Sequence, residues 1–244
     1  MPNNTAKKHG AWVADLTWPE VEQHIQSGAS AILPVGAAAK EHGRHLPLNS
    51  DQLQAEWLAS RLIEKFNVLV WPTLTYGHYP AFAVYPGSCS LSAITFENLV
   101  EETLRSIFGS GIQSILILNT GTSTIAPLEQ VIERTSRPVK LASVYHGRRY
   151  LKAEKKVKQQ PCGCHADELE TSIMLVIAPD KVNMRLARPW AKREMRSGAL
   201  VRNDKLHTNY SPDGVYGDPT FASKQKDKQL LAAMLEDIMD IVAM

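Results

Sequence analysis

Glu41, His42, His45 and Asp51 crowd the stretch LPVGAAAKEHGRHLPLNSD at residues 33–51, and all can hold a metal ion or move a proton. Imidazole nitrogen with carboxylate oxygen suits a divalent cation such as zinc. Lys40 and Arg44 place positive charge among these donors. The helix-spaced H-E-x-x-H pattern is absent and His42 stands nine residues from Asp51, so a shared ion must be reached through loop geometry. Plainer readings stay open here. His42 and His45 can bind backbone carbonyls or cap the next helix, and Asp51 sits where that helix needs its N-cap.

A second group lies far along the chain, in CGCHADELETSIMLVIAPDKV. If the chain is helical from Asp167 onward, Glu170 falls on the apolar side. A carboxylate there is costly to bury unless it meets a cation or a donor, which makes it a sharper pointer than any single histidine. His165 lies just before the first turn of that helix. Asn119, Thr120, Thr122, Ser123 and Thr124 place hydroxyls and amides at another helix start, where they can hold an anionic or carbonyl oxygen or serve only as caps. Cys162 and Cys164 have no second cysteine pair with which to complete a tetrahedral zinc site, and a redox role for them stays open.

These side chains need elements to position them. The apolar run SAILPV, ended by Gly36, reads as a strand that delivers the 36–51 loop to a sheet edge. Leu53, Trp57, Leu58, Leu62 and Ile63 then repeat at helical spacing. NVLVWP, QSILILN and PVKLASV read as three further strands. Between them lie a helix capped by Thr95 and another following NTGTST, and ahead of them all a helix runs from Thr17 to about Ser27. The lysine-rich segment 152–158 reads as a solvated loop. A last helix starts at Ser223, with Leu230, Leu231, Met234, Leu235, Ile238 and Ile241 turned inward. Strands alternating with helices predict an α/β fold with a mostly parallel sheet covered on both faces. Ligands then bind beyond the carboxyl ends of the strands, where loops 36–51, 72–94 and 119–125 collect. The middle loop is long and aromatic, and Tyr76, His78, Tyr79, Phe82 and Tyr85, with Trp190 and Tyr216, are candidates to line the pocket.

The 244 residues suit one domain spanning 1–244, since no Pro/Gly/Ser-rich linker or repeat divides them. A net charge of +2 without a clustered basic face argues against nucleic acid as a partner. No run approaches the ~20 apolar residues of a membrane span, and MPNNTAKKHG lacks an apolar signal region, so a cytoplasmic protein is expected. Three cysteines, Cys89, Cys162 and Cys164, cannot pair completely, which agrees with a reducing compartment.

Taken together, LPVGAAAKEHGRHLPLNSD, YPGSCSLS, ILILNTG, HADELETSIML and GDPTFASKQK resemble the creatininase family of metal-dependent amidohydrolases. The segments follow the family's order over most of residues 15–243. The resemblance implies a three-layer α/β/α subunit, assembled as a homo-oligomer and often a hexamer. It also implies one or two divalent ions that activate water against a small, often cyclic, amide. Under it His42, Asp51 and Glu170 become metal ligands, joined by Glu41 if the loop bulges, and His165 handles protons. Substrate contacts are then expected from His45, Tyr76, His78, Tyr85, Thr120 and Thr122. Two departures stand out. Lys40 fills the slot two before His42, where the family usually has a glutamate, and NTGTST puts Gly121 where the family has a histidine ligand. One ion is therefore expected rather than two, zinc ahead of manganese or iron. Lys40, if it points inward, would take the missing cation's space and supply its charge in catalysis. The expected activity is hydrolysis of a C–N bond in a small cyclic amide. The alternatives are a non-catalytic ligand-binding member of the fold and a peptide-processing hydrolase.

Overall fold

The computed structural model describes residues 9–190 and 199–243. Strands β1 (Ala11–Trp12), β2 (Ser30–Val35), β3 (Val68–Val70), β4 (Ile115–Asn119) and β5 (Val139–Ser143) form one sheet in the order β1-β3-β2-β4-β5, with every pairing parallel. Around it lie α1 (Trp18–Gln26), α2 (Ser50–Ile63), α3 (Ala93–Gly109), α4 (Ile125–Arg134), α5 (Arg148–Val157), α6 (Glu168–Ile177) and α7 (Lys224–Ala243).

Alternate strand residues face opposite sides, which divides the core into two layers. Ile32, Val68, Val70, Leu116 and Leu118 pack with α2, α5, α6 and α7. Leu33, Val35, Leu69, Ile115 and Ile117 pack on the other side with α3, α4 and the half-buried face of α1. This is the expected three-layer α/β/α architecture. Truncating Leu33 or Ile117 to alanine in so closed a layer would cost about 2–5 kcal/mol.

Local chemistry sets the boundaries. Thr17 and Glu20 form a capping box at the start of α1 and Gly28, at φ +82°, follows its end. Three expectations are corrected. The cap of α3 is Ser92, whose Oγ accepts from Thr95 N at 3.2 Å, so Thr95 lies inside the helix. Asn49 precedes α2, and Asp51 is buried within its first turn instead of capping it. The lysine-rich segment is helical, because Tyr150, Ala153 and Val157 turn one face of α5 into the core. The outer lysines masked that periodicity.

The connection from β2 runs to α2 on one face, and that from β4 runs to α4 on the other. The carboxyl ends of these adjacent strands thus open a crevice at a topological switch point. Among the described residues no helix is long and apolar enough to cross a membrane.

Candidate metal centre

Beyond β2 the chain leaves regular structure, and Lys40, His42 and Asp51 close a ring. His42 Nδ1 donates to the Lys40 carbonyl at 2.9 Å, His42 Nε2 lies 3.0 Å from Asp51 Oδ1, and Lys40 Nζ lies 2.6 Å from Asp51 Oδ2. All three residues are buried. A carbonyl can only accept, so Nδ1 carries the proton, and the Nε2 lone pair of a neutral ring faces a carboxylate oxygen. That contact is repulsive until a proton or a cation enters it. Burial works against ionising Asp51, but Lys40 and then His42 outweigh it and hold its carboxyl well below the usual range. Burial likewise opposes the Lys40 charge, which Asp51 and then Glu170 sustain, so its pKa is raised. The rings of Phe82 and Tyr79 wall the ammonium, 5.1 and 5.8 Å from Nζ to their centres.

The second imidazole is built differently. Backbone bonds to Tyr216, with His165 N donating at 3.2 Å and Tyr216 N donating to His165 O at 2.9 Å, hold His165 ahead of α6. Its Nε2 lies 3.2 Å from Glu41 Oε2 and its Nδ1 lies 3.7 Å from Glu170 Oε2. With Nε2–H donating to Glu41, the Nδ1 lone pair turns toward Glu170. Both Lys40 and Glu41 are buried at this centre, although side chains of adjacent residues on extended backbone point opposite ways. The loop achieves this by turning at Gly43, whose N–H donates to Glu41. Gly214, at φ +73°, has no side chain where the Glu41 carboxylate lies, and a Cβ there would overlap it.

Glu170 occupies the first turn of α6. Asp167 caps that helix, its Oδ1 accepting from Leu169 N at 2.9 Å and Glu170 N at 3.1 Å, and Ala166, at φ +47°, donates its N–H to Glu170 Oε2 at 2.5 Å. Burial pushes the Glu170 carboxyl up to about 7, although His165 and Lys40 pull it down. One ring nitrogen each of His42 and His165 and one oxygen of Glu170 lie within 4.8 Å of one another. Ligands about 2 Å from an ion are at most ~4 Å apart, so an ion here would draw them in by under about 1 Å. Asp51 is outside this set of three. It touches the set through His42 and otherwise faces Lys40.

A cavity of about 410 Å³ opens onto this centre. Each of the three anticipated loops reaches it, through Lys40, through Ala81 and Phe82, and through Thr120, Thr122 and Ser123. Thr120 also braces the floor, its hydroxyl 3.2 Å from Val35 O and 3.1 Å from Asp51 O. The other expected substrate contacts lie elsewhere. His45 is buried behind the site with Nε2 2.8 Å from Thr171 Oγ1, and burial lowers its pKa to about 4, so it is neutral. Tyr76 is 54% exposed and away from the cavity. His78 donates to Leu91 O at 3.0 Å, and Tyr85 donates to Ser211 O at 2.5 Å. Trp190 Nε1 is taken by Tyr210 O at 2.9 Å. Sequence reasoning did not anticipate the opposite wall, Tyr145, Tyr150, Leu151, Glu154 and Leu200. Helical spacing in 148–157 was the available signal.

Two further features follow from side-chain size and charge. At Gly121 a Cβ would stand 2.7 Å from Thr124 Oγ1, which donates to Asn119 Oδ1 at 2.7 Å. The loop after β4 thus spends its polar groups on itself. Cys164 lines the cavity at its exposed edge, and partial desolvation followed by the nearby Glu170 and Asp167 charges pushes its thiol up to about 11.

Comparison with known proteins agrees with this architecture. The family model described as creatininase, creatinine amidohydrolase, matches residues 14–242. Creatinine amidohydrolase of Pseudomonas putida is 26% identical over 251 residues, covering 95% of this chain and 95% of its own. A mycofactocin precursor peptide peptidase of Mycolicibacterium smegmatis is also 26% identical, over 258 residues, 98% of this chain and 94% of its own. A solved creatininase variant described as Zn-Zn type superposes with a TM-score of 0.80 at 22% identity, over 96% of this chain and 97% of that one. The shared fold and the family match along nearly the whole length make this chain a member of the creatininase family.

Proposed function

We propose that this chain is a divalent-metal-dependent amidohydrolase that cleaves a C–N bond of a small, cyclic amide. One observation carries the reading. Two buried imidazoles each commit one N–H to an acceptor and turn the other nitrogen to a carboxylate, at the inner end of a cavity sized for a small molecule. Two nitrogens and one oxygen suit zinc best, with manganese and iron acceptable. His42, His165 and Glu170 would hold the ion, with Asp51 beside it.

When bound, such an ion polarises a carbonyl and brings the pKa of water toward ~7. The chain's own residues do the rest. The Lys40 carbonyl and the Glu41 carboxylate fix which nitrogen of each imidazole is free. His165 Nδ1 is then the atom available to the ion or to a proton in transit. The Phe82 ring, 4.2 Å from that of His165, keeps water from this edge. Lys40 lines the cavity, and its positive charge would stabilise a carbonyl oxygen that gains negative charge beside it. The family resemblance extends the same proposal to a homo-oligomer, and the three incompletely paired cysteines extend it to a reducing cytoplasm.

Stripping the protein of metal, reloading it with zinc, manganese or iron and assaying cyclic amides, lactams and imides beside short peptides tests the proposal. Metal-dependent opening of a small ring is expected. No turnover of any compound by fully loaded protein would leave a ligand-binding role instead. The relative from Mycolicibacterium smegmatis motivates the second reading, and preferential cleavage of peptides would establish it.

A further inference from the structure

We propose that the Lys40 ammonium is a built-in substitute for one divalent cation, so that each chain takes a single ion and holds it at His42, His165 and Glu170. This rests on the metal-dependent reading above and goes beyond it by assigning the ion count and the residue that sets it.

The berth of Nζ has the features of a cation site. It lies 2.6 Å from Asp51 Oδ2, faces two aromatic rings, and is buried, with Lys40 5% exposed and Asp51 fully enclosed. The Tyr79 hydroxyl, in the same wall, is buried with no hydrogen-bond partner. Asp51 commits Oδ2 to Lys40, which leaves it only Oδ1, beside His42 Nε2, to offer an ion, so it cannot bridge two metals while Lys40 is in place. The loop after β4 adds no ligand to this berth, because Asn119, Gly121 and Thr124 satisfy one another, so Asp51 Oδ2 and the Tyr79 hydroxyl, completed by water, are what a second ion would meet once the ammonium is gone. A second divalent ion beside Asp51 would also meet the Lys40 charge at close range in a low dielectric, which is strongly repulsive. The creatininase structure with the same fold is described as Zn-Zn type, so the overall architecture does not itself limit the count. In this chain the limit is Lys40, a fixed charge tethered to the same loop as the carboxylate it neutralises.

Native mass spectrometry of the full chain with excess zinc tests this by counting ions, without reference to turnover. Wild type is expected to hold one zinc per chain, Lys40→Met two, and the double variant Lys40→Met, Asp51→Asn one again, because the second berth then lacks its carboxylate. Zinc should also raise the melting temperature of Lys40→Met more than that of wild type. Two ions in wild type, or one in a folded Lys40→Met, would overturn the proposal while leaving metal dependence intact. Zero ions in wild type would overturn the metal-dependent reading and this inference together. If Lys40→Met does not fold, wild type and the double variant still decide, and two ions in either overturns the assignment.

Discussion

The two imidazoles of the site sit in opposite company. His42 belongs to a closed ring whose members come from one stretch of chain, residues 40–51, and whose carboxylate already has a cation, Lys40. His165 joins two carboxylates delivered from residues 41 and 170, one at each ring nitrogen. The consequence appears in the two acids. Asp51 stays ionised with its partner in place, whereas Glu170, also buried, rises to about 7. Burial alone does not decide protonation in this site. A fixed neighbouring charge does.

The sharpest way to break this contrast is to remove the unbalanced side. Glu170→Gln should weaken zinc binding by about 100-fold or more and abolish metal-dependent turnover, since a neutral amide replaces the only charged ligand in the set of three. Equilibrium dialysis checks the first effect, and unchanged affinity would remove Glu170 from the ligand set. Next in size, Glu41→Gln should cost about 10- to 100-fold in metal affinity or turnover by freeing the His165 tautomer, with the fold retained. Circular dichroism beside a zinc titration separates that from unfolding.

A smaller effect follows from the direction of the Glu170 shift. Its folded pKa of about 7 lies above the usual 4.5, so its contribution to stability is fully present below pH 4.5 and is lost as pH rises through 7. Calorimetry of metal-free protein should therefore show a melting temperature that declines between pH 5 and 8, a decline that zinc or Glu170→Gln removes. The Asp51 contribution runs the other way, present above its usual pKa and lost as acid protonates the carboxyl. The smallest change is expected at the outer wall. Leu151→Ala should raise KM about 3- to 10-fold with kcat nearly unchanged, because contacts that far from the centre bind substrate and transition state alike.

Much of this was readable in the chain. Period-two and period-3.6 apolar patterns located four of the five strands and the main helices, and Glu170 announced itself as a carboxylate on an apolar helix face. β1 is two residues long, too short for any periodicity to register. The α5 wall of the cavity was hidden by its lysines, whose exposed charges outnumber the inward residues. Tyr76, His78 and Tyr85 show the reverse limit, since none of them lines the cavity. An aromatic in a long loop looks like a pocket residue whether its polar atom meets a ligand or a neighbouring carbonyl.

The order and type of residues determined the layered parallel fold and the family, because strand and helix periods and short motifs are local properties of a chain. Tertiary structure alone decided which donors converge. Lys40 and Glu41 both turn inward only because a glycine-permitted turn at 43 and the empty space at Gly214 admit them, and these lie 171 positions apart. His165 stands with His42 and Glu170 in the convergent set, whereas Asp51 pairs with Lys40, so charged groups compete for partners across the site. Such competition between distant charges depends on distances and dielectric, and no sequence spacing encodes either.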